Sequence, residues 1–179
     1  MPASTHSPRF ALAILALSTI LPLATPAQQP GLAGASQWKE PNGRYTISIP
    51  SGWKVDTSSN NLKITSGDNW AIFDTTSAPG TALDLAQKIA GQMQPMVSDW
   101  KVFNQGAFTT ASHHPSAGVT VGCSVATKTG PTPRVMLFAA QGAGGGNYVT
   151  MTSSADQASA QATNATFMQI FESIRFAGE

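Results

Sequence analysis

Arg44-Tyr45-Thr46-Ile47-Ser48-Ile49-Pro50-Ser51-Gly52-Trp53 is the stretch whose reading decides the fold. Tyr45, Ile47 and Ile49 alternate with Thr46 and Ser48, the period of two that marks a half-buried strand. Pro50 ends it, because proline cannot donate to a ladder, and Gly52 turns the chain into a second strand over Trp53 to Asp56. Working outward, Leu62 and Ile64 alternate with Lys63 and Thr65, Gly67-Asp68-Asn69 reverses the chain, and Trp70 to Thr75 follows. The run Trp70-Ala71-Ile72-Phe73 is apolar on both faces, which predicts a central strand covered on both sides.

Thr81 followed by Asp84 is a helix start, in which hydroxyl and carboxylate satisfy otherwise orphaned backbone amides. Ala82, Leu85, Ala86, Ile89 and Met93 recur at helical spacing, Asp84 and Lys88 stand four apart as an exposed pair, and Pro95 ends the helix near Gln94. Period two then returns in Trp100 to Phe108, Val119 to Lys128, Arg134 to Ala140 and Tyr148 to Ser153, with turns at Thr129 to Pro133 and Gly142 to Gly146. Ser154 with Gln157, or Ser153 with Asp156, is the expected cap of a last helix carrying Phe167, Ile170, Phe171 and Ile174 on one face. Four strands, a helix, four strands and a helix, without βαβ alternation, give an α+β domain built on a mainly antiparallel sheet of about six to eight strands.

Toward the N-terminus, residues 1–27 read as a cleavable signal peptide. His6 and Arg9 precede an apolar segment from Phe10 to Leu23, and Thr25 and Ala27 make a small-x-small site that leaves Gln28 first. That segment is shorter than a span of about 20 residues and is interrupted by Ser18, Thr19 and Pro22. Residues 28–37 read as a flexible leader, and 38–179 as a single domain. With Arg9 removed, the ten Lys and Arg fall to equal the nine Asp and Glu, a balance that argues against nucleic acid or an anionic membrane as partner.

The tryptophan-led entry at Trp38, the stretch from Arg44 to Trp53, the short hairpins, the central helix and the closing Phe171-Glu172-Ser173-Ile174-Arg175-Phe176 together resemble the PsbP-like superfamily. That group includes the photosystem II extrinsic protein, a nuclear protein that binds a Ran-type GTPase, and bacterial exported proteins of unknown role. The resemblance covers residues 38–177. It implies an antiparallel sheet sandwiched between helices, an α/β/α arrangement, and members that dock onto other proteins rather than catalyse.

Several motifs are weighed and set aside. Ser36-x-x-Lys39, Ser51-x-x-Lys54, Ser58-x-Asn60 and Lys128-Thr129-Gly130 match penicillin-recognising serine enzymes in order, but that chemistry needs serine and lysine at a helix start. Gly142 to Gly146 runs into a strand, whereas a phosphate loop must open a helix. His113 and His114 are adjacent and have no acid nearby to complete a metal set. Cys123 shares the apolar strand face of Val119, Val121 and Val125 and reads as a buried, inert thiol. Trp38, Trp53, Trp70 and Trp100 read as core, with one of them exposed enough to anchor an interface. No catalytic, cofactor-binding or metal-ligating residue is assigned, and no cofactor is implied.

The expected function is that of an exported, periplasmic or secreted, non-catalytic module that binds another protein or an envelope assembly. A small-molecule or lipid carrier is the alternative, and would need a pocket of at least about 300 Å³. An unrecognised hydrolase ranks last.

Overall fold

Tyr45–Ile49 forms the strand that its alternation requires, with Tyr45, Ile47 and Ile49 buried and Thr46 and Ser48 half-buried. The computed structural model describes residues 32, 34–59, 61–110 and 113–178, so the signal peptide read at 1–27 and half of the leader lie outside the described residues. In chain order the elements are β1 (Ser36–Lys39), β2 (Tyr45–Ile49), β3 (Lys54–Asp56), β4 (Leu62–Ser66), β5 (Asn69–Ser77), α1 (Ala82–Met93), a short 3₁₀ turn (Gln94–Met96), β6 (Ser98–Thr109), β7 (Pro115–Thr127), β8 (Gly130–Gly144), β9 (Asn147–Asp156), α2 (Ala160–Glu172) and β10 (Arg175–Phe176).

Seven strands make the main sheet in the order β3-β4-β5-β9-β8-β7-β6, and β1-β2-β10 make a smaller one. Every strand pairing is antiparallel. The fold is α+β, and β8 shows how its layers arise. Val135, Leu137 and Ala139 point into one cluster with Ile47, Ile49, Phe73, Phe167 and Phe171, which is closed by α2 and the small sheet. The intervening Met136 and Phe138 point into a second cluster with Val119, Val121, Ala86 and Ala90, closed by α1. One strand with period two therefore supplies both cores, and a helix lies on each face.

The structure corrects the sequence reading at four places. Strand β1 begins at Ser36, two residues inside the stretch read as leader, because Ser36 and Gln37 pair with Ile49 and Ser48. On β5 only Ala71 and Phe73 are buried, while Trp70 and Ile72 are half-buried, since α1 sits over β7 and β8 and leaves the α1-side face of β5 open. Ser153 and Ser154 do not cap a helix. They are buried in β9, which runs on to Asp156 between β5 and β8, and α2 starts after Ser159 without a side-chain cap. Asp84 does not pair with Lys88, because its carboxylate accepts from the Thr81 backbone N–H and hydroxyl, each at 2.8 Å. The strand read at Trp100 to Phe108 forms as β6, which lies at the outer margin of the sheet with most of its side chains exposed.

Candidate functional site

The two margins of the main sheet differ in kind. On one side β3 ends the sheet with three residues; on the other β6 does so with twelve. A sheet margin carries a row of unpaired backbone N–H and C=O groups, so its length sets how much hydrogen-bonding capacity faces solvent. Strand β6 divides into two parts. From Ser98 to Asn104 its register with β7 slips twice, between Ser98 and Lys101 and between Val102 and Asn104, and Asp99 takes a positive φ of 54°. From Asn104 to Thr109 it pairs without interruption against Thr120 to Pro115.

The second slip presents Phe103 to solvent. Val102 and Phe103 are 47% and 54% exposed, and Met96 in the preceding 3₁₀ turn is 70% exposed. Apart from Val55, these are the large hydrophobic side chains that the described residues leave in water. Phe103 nevertheless has a fixed seat. Its ring packs over Gly122 of β7, where any side chain would collide with it, and Lys101 Nζ lies 5.9 Å from the ring centroid. An exposed aromatic ring held by a glycine and a bulge is already ordered before it meets a partner, which lowers the entropic cost of binding.

Beside Phe103, the α2-side face of β6 and β7 is uncovered. Gly106, Gly118 and Thr120 floor a trough of about 450 Å³, Phe108 and Leu137 flank it, and Asn164, Ala165 and Met168 of α2 form the far wall. Phe108 closes its inner end by an edge-to-face contact with Phe171, at 6.3 Å between ring centroids. Small floor residues make the trough deep enough to accept a side chain. The Asn164 Oδ1 atom is buried in its wall without a hydrogen-bond partner.

The four tryptophans lie elsewhere, and all are half-buried. Trp38 packs on Tyr45, Trp53 on Phe167 and Trp100 on Phe138, with centroid separations of 5.9, 5.5 and 6.1 Å. Trp70 lines a second open trough of about 440 Å³ beside α1, together with Ile72, Asp74, Lys88 and Met93. The exposed aromatic anchor expected among the tryptophans is thus a phenylalanine, Phe103. No sequence signal separated it from its neighbours, because its exposure comes from the bulge and from the outer position of β6.

The remaining motif residues are dispersed. Ser36 and Lys39 are residues of one strand, Ser51 lies in a turn and Lys54 in β3, while Lys128 and Thr129 form the β7–β8 turn, whose Gly130 opens β8. Asn60 lies outside the described residues. Gly144, Gly145 and Gly146 all take positive φ and form the β8–β9 hairpin. His113, with φ 58°, and His114 sit in the β6–β7 loop, where His114 meets the Phe176 ring edge-on at 4.7 Å. Among the described residues no three His, Cys, Asp or Glu side chains come together as metal ligands. Cys123 is buried under α1, and that burial pushes its thiol pKa up, only partly offset by the Arg134 charge. Arg134 itself is buried and donates to neutral oxygens, Ser154 Oγ at 3.0 Å, Ser154 O at 3.1 Å and Asp68 O at 2.6 Å, which ties the β4–β5 turn to β9.

No protein-family model matches the chain, and no curated protein sequence does. Solved structures do. The chain is similar to cyanobacterial PsbP (CyanoP) from Synechocystis sp. PCC 6803, with 14% identity over 83% of this chain and 95% of that one, at a TM-score of 0.59. It is similar to the Ran-binding protein Mog1p of Saccharomyces cerevisiae, with 11% identity over 79% and 95%, at 0.56. It is also similar to LpqN of Mycobacterium tuberculosis, a protein involved in cell envelope biogenesis, with 11% identity over 78% and 88%, at 0.53. These likenesses show the fold, which is PsbP-like, as the strand from Tyr45 to Ile49 and the closing helix suggest.

Proposed function

We propose that this chain, which has the PsbP-like fold, is an exported, non-catalytic module that docks onto another protein through its β6 margin. The observation that carries the reading is Phe103, an aromatic ring 54% exposed yet seated on Gly122 midway along a twelve-residue outer strand. Exposed aromatic side chains flanked by apolar neighbours are the groups that contribute most to protein interfaces. Export is supported by the signal peptide read at residues 1–27 and by the likeness to LpqN, which is involved in cell envelope biogenesis. A protein partner is supported by the likeness to Mog1p, which binds Ran. The carrier reading draws on the trough volume of about 450 Å³, above the required minimum, but that trough is open to solvent along β6 and would leave a lipid half in water.

The test is site-specific photocrosslinking in the native host, with a photoreactive phenylalanine analogue at position 103 and, as control, at position 88 on the opposite face. The docking reading expects one reproducible protein adduct from position 103 and none from position 88. Equal adducts from both positions, or none from either, would remove it.

A further inference from the structure

We infer that the occupant of this margin is an extended segment of the partner protein that adds to β6 as an eighth strand along Asn104–Thr109, sets a large apolar or aromatic side chain into the trough beside α2, and brings an acidic residue to Lys101. The inference rests on the docking reading and names the partner's chemistry.

Three observations carry it. Strand β6 is blunted only in its first part, where two register slips and Lys101 discourage pairing, whereas Asn104 to Thr109 stay in unbroken register and offer a straight ladder. A free ladder is satisfied by another extended backbone and by little else, which is how strand addition gains affinity while alternate side chains supply selectivity. Next, the trough sits directly above this straight segment, and Gly106, Gly118 and Thr120 leave it deep enough to accept a side chain. Phe108, Leu137, Ala165 and Met168 line it, so it favours a large apolar or aromatic side chain. Finally, Lys101 forms no ion pair among the described residues and lies 5.9 Å from the Phe103 ring centroid, so the end of the ladder nearest the bulge favours a carboxylate.

The charge requirement also decides against a second copy as occupant. Residues 104–118 contain no aspartate or glutamate, so antiparallel pairing of β6 with its own copy through this straight segment would bring no acid toward Lys101.

The experiment uses the full chain as expressed and exported. Phage-displayed random peptides of about ten residues are panned against it, the recovered peptide is synthesised, and backbone amide exchange is followed by NMR with and without that peptide. Strand addition predicts peptides rich in β-branched residues with one acid and one large apolar or aromatic residue. It also predicts protection of every second amide within residues 104–109 on binding. Ala165→Arg, an exposed change in the trough wall, should weaken binding at least about tenfold. Lys101→Glu should weaken it too, with recovery when the peptide's acid is changed to lysine. A peptide that shifts Phe103 without protecting alternate β6 amides would overturn strand addition while leaving the docking reading intact. Recovery of no peptide, with the position-103 adduct still formed, would do the same. Alternate β6 amides already protected in a self-associated protein would mean that the occupant is a second copy, and would overturn the inference. Loss of both the peptide and the adduct would end both readings.

Discussion

Phe103 rests on Gly122 so closely that a Cβ placed there would lie 2.5 Å from Phe103 Cζ. The colliding atom is the far end of an exposed side chain, so the ring can swing away at little cost to the core. Gly122→Ala is therefore expected to change stability by no more than about 0.5 kcal/mol, the usual range for surface substitutions. It should nevertheless abolish the ordered position of the ring, read from the Phe103 ring-proton shifts, and with it the crosslink at position 103. If the ring shifts stay at their original values in Gly122→Ala, the glycine is not its seat.

The start of α1 is the most local feature of the chain, and it gives the simplest expectation. The Asp84 backbone N–H donates to Thr81 Oγ1 at 3.2 Å while the Asp84 carboxylate accepts from Thr81, so each residue satisfies the other. Thr81→Ala should cost about 1 kcal/mol in urea unfolding. Lys88→Ala should leave stability within about 0.5 kcal/mol, because Asp84 is committed to the cap and makes no ion pair with Lys88. A larger loss from Lys88→Ala than from Thr81→Ala would reverse this assignment.

That contrast also explains what could be read from sequence. The cap spans four residues, and its geometry follows from their identities alone. Strand β2 was equally plain, since Pro50 and Gly52 bound a strict alternation. The exposure of β6 was not legible, because alternation in Trp100 to Phe108 says that a strand forms but not which strands flank it. Its outer place is set by β9 entering between β5 and β8, a pairing made by residues about 80 positions apart, such as Phe73 with Met151. The misreading of Ser153 and Ser154 has the same cause. A serine pair before a helix reads as a cap until the strands on either side are known, and here those strands bury both hydroxyls. Phe103 escaped notice because a bulge is a relation between two strands and leaves no local signature.

Cys123 gives an expectation about reactivity. The thiol is buried against α1, and burial raises its pKa, so the thiolate is scarce at neutral pH and sterically covered. Labelling by a disulfide reagent at pH 8 should be negligible in the folded protein and complete in urea. The observed rate should follow the opening of the α1 face. Stoichiometric labelling within seconds under native conditions would show that the thiol is reachable.

Glu40 governs the response to acid. Its carboxylate is buried and accepts from Arg44 Nη2 at 2.7 Å, from the Arg44 backbone N–H at 3.1 Å and from Asn42 Nδ2 at 3.0 Å. The Arg44 hydrogen bond, opposed by burial, is the largest influence on its pKa, which falls from 4.5 to about 2. A carboxylate whose pKa is lower in the folded state stabilises the fold above its unfolded pKa and loses that contribution as the pH falls through the folded value. The window is thus from about 4.5 down to about 2. Arg44 is 52% exposed and screened by solvent, so the contribution is on the order of 1 to 2 kcal/mol rather than the full value of the shift. Glu40→Gln should lower stability at pH 7 by that amount and flatten the pH dependence within the window. Urea unfolding at pH 7, 4 and 2.5 reads both effects. The two curves should converge toward pH 2, where the native carboxylate is protonated, and parallel curves across the window would place the acid sensitivity at another group.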